Sequence, residues 1–93
     1  MALPDFVFTG EAVLSASGTS ATVTVPATGT PTQVIVTNLG PAVAFIGYGA
    51  SVTVATGHPV LPNVPVVMNL NSNTAIAAIT TGDPASLRIT AAK

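Results

Sequence analysis

Few side chains in this sequence are suited to proton transfer or metal ligation: Asp5, Glu11, His58 and Asp83. General acid–base catalysis needs two titratable groups within hydrogen-bond reach, tuned apart by their surroundings. These four are scattered along the chain, each beside a turn or a terminus, with no nucleophile elbow and no metal-ligand spacing around them. Asp83 precedes Pro84 and is a turn former by its own chemistry; His58, also ahead of a proline, reads as a loop residue. Gly47-Tyr48-Gly49 lacks the third glycine and the following helix of a phosphate loop, so it reads as a bend. Cysteine is absent, which removes thiolate metal sites and disulfide staples together. The residues predict no enzyme, no metal and no cofactor.

Binding chemistry is narrowed by charge. The basic residues are Arg88 and Lys93, too few to neutralise a phosphate backbone or to hold an anionic membrane surface. After Asp5 and Glu11 nothing formally charged occurs until Asp83. A folded chain of this mass exposes about 4,900 Å², which spreads its charges to about one per ~1,000 Å², far sparser than an ordinary soluble surface. Pro, Thr, Asn and Gly interrupt the uncharged interval too often for a membrane-spanning helix, and the first residues lack the basic and apolar regions of a secretory signal. Sugar recognition commonly uses aromatic platforms, and Tyr48 is the one ring placed to be exposed.

These residues must be positioned by strands. Thr, Val and Ile make up about a third of the chain and suit a pleated surface. Turn signals recur about every ten residues: Ser17-Gly18-Thr19, Ala27-Thr28-Gly29, Asn38-Leu39-Gly40-Pro41, Gly49-Ala50, Thr56-Gly57-His58-Pro59, Asn71-Ser72-Asn73 and Gly82-Asp83-Pro84. Ala21, Val23 and Val25 alternate with Thr22 and Thr24; Val34 and Val36 do so with Gln33 and Thr37; Leu87 and Ile89 flank an outward Arg88. The pattern predicts an all-β fold, a small antiparallel β-sandwich of jelly-roll type with about eight short strands. Residues 11–93 form its single domain, and residues 1–10 form a first strand or a docking arm.

Three segments refuse to alternate. Residues 42–48 and 64–68 are apolar on both faces, and residues 74–79 have Ile76 and Ile79 three apart, a spacing that a helix also allows, although the length and Thr flanks favour a strand with a bulge. A two-layer sandwich buries one face of each sheet, so these segments predict a second covered surface and hence assembly. Prolines at strand ends (Pro26, Pro31, Pro41, Pro62, Pro65) blunt edges against runaway pairing.

The string TNLGPAVAFIGYGASVTVAT at residues 37–56 resembles small β-sandwich structural proteins of tailed bacteriophages, in the pattern Thr-Asn-x-Gly, Ala-Phe-aliphatic, Gly, Val-x-Ala-Thr. Thr37, Asn38, Gly40, Ala44, Phe45, Ile46, Gly49, Val54, Ala55 and Thr56 occupy those places. A Pro-rich loop, then Ala77-Ala78-Ile79-Thr80 and Leu87-Arg88-Ile89-Thr90, extend the likeness over residues 13–90. The chain departs from that pattern at both ends.

The resemblance implies a virion component, made in the bacterial host cytoplasm and carried on the capsid exterior. It implies a capsid cement or decoration protein, a homo-oligomer with a trimer favoured, whose partner is the major capsid protein. The alternative it leaves open is a tail or head-fibre component that binds a neighbouring virion protein or a host glycan. Leu3, Asp5, Phe6, Phe8, Tyr48, Met68 and Arg88 are the expected contact residues.

Overall fold

The computed structural model describes residues 8–92, with the Phe8 side chain left aside. The chain forms eight strands: β1 (Phe8–Ala16), β2 (Ala21–Thr24), β3 (Gln33–Pro41), β4 (Ala44–Tyr48), β5 (His58–Val60), β6 (Val66–Asn69), β7 (Ala75–Ile79) and β8 (Ala85–Ala92). They make two antiparallel four-stranded sheets, ordered β1-β8-β3-β6 and β2-β7-β4-β5. The pairs β1–β8, β2–β7, β3–β6 and β4–β5 are the successive rungs of one long hairpin rolled into two layers, which is the winding of a jelly roll. Segment 1–10 is thus divided: Leu3, Asp5 and Phe6 lie outside the described residues, while β1 starts at Phe8 and runs on through Glu11.

Alternation decides which face each strand buries. Val34 and Val36 of β3 are opposite Ala91 and Ile89 of β8, and Leu87 is opposite Leu14 of β1. All of these point into the layer between the sheets and are buried. The second sheet answers with Ala44 and Ile46 of β4 and with Ile76 and Ala78 of β7. Among the described residues the buried hydrophobic cluster is aliphatic throughout. It draws its specificity from β-branched shapes that fill the space in few rotamers.

The two ends of the sandwich differ. At one end the connections are short, and a buried asparagine organises them. Asn38 donates through Nδ2 to the carbonyls of Ala42 (2.7 Å) and Val60 (2.9 Å), while its Oδ1 accepts from the Gly40 amide at 2.7 Å. Its own carbonyl accepts from Asn63. One side chain therefore satisfies backbone groups on the turn after β3 and on β5, which would otherwise be left unpaired as the chain reverses. Thr80 does similar work nearby, donating to the Asp83 carbonyl at 2.6 Å and accepting from the Gly82 amide.

At the other end, the β2–β3 and β6–β7 connections cross between the sheets, and the long β4–β5 connection stays with the second. Residues 49–57, between β4 and β5, fold back over the outer face of the second sheet. Thr22 donates to the Gly49 carbonyl, and the Val52 amide donates to Ser20 Oγ. Val52 is buried there, so close that a Cβ on Gly47 would stand 3.0 Å from its Cγ2. Gly57 lies over Phe45 in the same way: a Cβ would fall 2.7 Å from that of Phe45. This accounts for much of the second apolar face. Ala77 points outward from β7, opposite Gly47 and Thr22, yet it is fully buried because the chain itself lies across it.

Candidate functional site

The titratable candidates within the described residues lie on separate elements. Glu11, His58 and Asp83 are exposed on β1, on β5 and in the β7–β8 turn, and no group of three acidic, histidine or cysteine residues that could hold a metal is found among the described residues. His58 is a strand residue rather than a loop residue. Its neighbour Pro59 pairs opposite Phe45 on the edge strand β5, where a missing amide hydrogen costs no ladder bond.

The expected contact residues scatter. Arg88 projects from the outer face of the first sheet, 3.9 Å from Glu11 on the neighbouring strand, an exposed pair of small energetic weight. Met68 shares the parity of Val66 and packs, partly buried, against the core. Tyr48 stands at the end of β4, partly exposed, and its hydroxyl donates to the carbonyl of Asn69 on the opposite sheet. It closes one corner of the sandwich. Of the remaining expected residues, only Phe8 is reached by the described strands, as the opposite number of Ala92.

Folding assembles other surface features, the first of which shares its sheet face with the Glu11–Arg88 pair. On the outer face of the first sheet, Val67 of β6 is opposite Ile35 of β3, and Ile35 is opposite Thr90 of β8. Val13 sits one row along, opposite Arg88. Val67 is 61% exposed and Val13 59%. Among the described residues no segment covers this face as residues 49–57 cover the other. A second apolar group stands exposed at the Asn38 end, Leu39 near the end of β3 and Leu61 and Val64 on the β5–β6 connection, held together by the Asn63 and Val64 backbone bonds. Residue patterning marks Val64 and Val67, inside the segment 64–68, but not Leu39, Leu61 or Val13, because single exposed apolar residues read as incidental.

A third feature is a cleft of about 690 Å³ at the opposite end. Its walls are the connections after β2 and after β6. Two backbone bonds tie these walls together, Val25 N–H to the Thr74 carbonyl (2.8 Å) and Leu70 N–H to the Thr32 carbonyl (2.9 Å). Three lining residues that are not glycine, Thr30, Asn71 and Ser72, hold φ of 52°, 48° and 70°. A β-branched residue in that region is a true outlier, and such strain persists only where its surroundings fix it. Beside the cleft, Thr9 packs on Gly29, and its Oγ1 is buried without a hydrogen-bond partner among the described residues.

Compared with protein-family models, curated proteins and solved structures, the chain matches none.

Proposed function

We propose that the chain is a structural protein of a tailed-phage virion, a cement that holds capsid subunits together while associating with copies of itself. The observation that carries this reading is the pair of separate surfaces bearing exposed apolar side chains on a jelly roll with few charges: Val13 and Val67 on the outer sheet face beside the Glu11–Arg88 pair, and Leu39, Leu61 and Val64 at the Asn38 end. A cement needs two adhesive surfaces, one for its own copies and one for the lattice it braces. Exposed apolar groups of this kind mark interaction sites on small proteins. Jelly rolls serve in capsids and in lectins alike, so the fold is compatible with this role and does not choose it.

Magnitudes favour a multivalent mode. Four strands spaced ~4.8 Å apart, with five residues each rising ~3.4 Å, present a face of roughly 300 Å². A stable interface takes about 800 Å² from each partner. One face alone would hold weakly, whereas three linked copies raise the effective concentration of each contact and make the whole slow to leave. The trimer of the resemblance fits that need. The mechanism is mechanical: added interface across subunit boundaries opposes the outward pressure of packaged DNA.

The test is co-sedimentation with capsids assembled from the same phage's major capsid protein, alongside sedimentation of the chain alone. Val67→Asp and Leu61→Asp each place a charge in one apolar surface. The proposal expects one variant to lose capsid binding and the other to lose self-association. It is overturned if wild-type chain stays in the supernatant, or if neither variant changes either property.

A further inference from the structure

The end cleft has no part in that role, and its chemistry is unlike that of the two apolar surfaces. We propose that it is a binding site for a neutral oligosaccharide. The inference stands independently of the capsid reading, because it uses a different end of the molecule.

Its volume falls within the range of small-molecule sites, ~300–1,000 Å³. Among the described residues no ionisable side chain lines it. Phosphates, carboxylates and cationic ligands are commonly selected by opposite charge, which the described lining does not supply. It offers hydroxyl and carboxamide groups instead. Those of Thr24, Thr32, Asn71, Ser72 and Thr74 make no side-chain hydrogen bond within the described residues, and each can donate and accept. A sugar hydroxyl also does both, so such groups match it without fixing a charge. Between them lie Val25, Leu70 and Pro31, an apolar floor suited to the C–H face of a pyranose ring.

The walls are preformed. The Asn73 carboxamide is held on the Leu70 carbonyl (2.9 Å), Asn69 Oδ1 accepts from the Asn71 amide (2.8 Å), and Tyr48 anchors the Asn69 carbonyl from outside. With the rim fixed, little ordering remains to be done on binding. The same bonds disfavour a peptide occupant. A peptide that adds as a strand needs free backbone donors and acceptors. Here the amides of Val25 and Leu70 and the carbonyls of Thr32 and Thr74 are already spent on one another.

The experiment is an amide-resolved NMR titration of the whole chain with maltose, lactose and chitobiose, with glucose 6-phosphate as a charged control. The expected result is saturable shifts confined to residues 24–32 and 69–74 with at least one neutral disaccharide, and weaker shifts with the phosphate. Asn71→Gly removes the carboxamide while tolerating the positive φ, and Thr74→Val removes a hydroxyl at constant shape. Each should weaken binding about tenfold, in proportion to one lost hydrogen bond, with the spectrum outside the cleft unchanged. The proposal is overturned if no neutral sugar shifts these residues at tens of millimolar, or if both variants bind as well as wild type. It is equally overturned if the cleft responds only to a synthetic peptide of residues 1–7.

Discussion

Removing the Asn38 side chain should cost more stability than any other single polar truncation in the described fold. The side chain makes three hydrogen bonds, at 2.7, 2.9 and 2.7 Å, to backbone groups at the end of β3, in the turn after it and in β5. Asn38 is fully buried, and its bond to the Val60 carbonyl lies in the interior. Asn38→Ala leaves the Ala42 and Val60 carbonyls and the Gly40 amide unpaired. An unsatisfied buried group costs about 1–3 kcal/mol. With one group fully buried and two reachable by water after a small relaxation, the sum is about 3 kcal/mol. For a domain of this size that corresponds to a fall in Tm of about 12–24 °C. Asn38→Asp keeps the shape but replaces a donor by an acceptor facing two carbonyl oxygens, so it should cost at least as much. The assay is urea and thermal unfolding at one fixed protein concentration, because self-association would add to apparent stability. A loss below ~1 kcal/mol for both variants would refute the claim that this side chain holds the end of the sandwich together.

Gly57→Val should detach residues 49–57 from the second sheet, since even a Cβ falls 2.7 Å from that of Phe45; the check is faster amide exchange at Val52 and Ala77. Arg88→Ala should change stability by less than ~0.5 kcal/mol, because its partner Glu11 is exposed and 3.9 Å away; equilibrium unfolding at two salt concentrations reads this directly. Thr30→Gly relieves a β-branched residue at φ 52° and should leave stability unchanged or raise it by up to ~1 kcal/mol, as measured by the urea midpoint.

Much of the jelly roll is legible in the residues where one face is wet. Alternation places β2, β3 and β8 within a few residues, and it puts Arg88 outside and Leu87 and Ile89 inside. It fails for β7, where Ala77 and Ile76 are both buried. The cause is non-local: a segment more than twenty residues earlier lies across the strand, and no local period carries that information. An apolar second face signalled a covering partner, and part of the cover is the chain's own Val52. His58 was obscured by its Gly and Pro neighbours, which mark turns but also suit a short edge strand. Met68 reads equally as contact or core until Pro65 and the start of β6 at Val66 fix its parity toward the core.

The cleft was out of reach for the same reason. Ala27-Thr28-Gly29 and Asn71-Ser72-Asn73 are each recognisable as turns, some forty residues apart, and their composition is polar and uncharged. They meet because β2 pairs with β7 and β3 with β6. Their shared lack of charge is the one trace of the site that the residues carry. The low charge of the chain as a whole therefore has two separate consequences, apolar faces suited to protein partners and a neutral cleft suited to a neutral ligand.

The most direct measurement is a pair of cryo-EM reconstructions of virions with and without this chain. The account predicts eight-stranded density at the capsomer junctions, lost in the deletion, with an apolar surface containing either Val67 or Leu61 against the capsid. Identical density at those junctions in both reconstructions would contradict it.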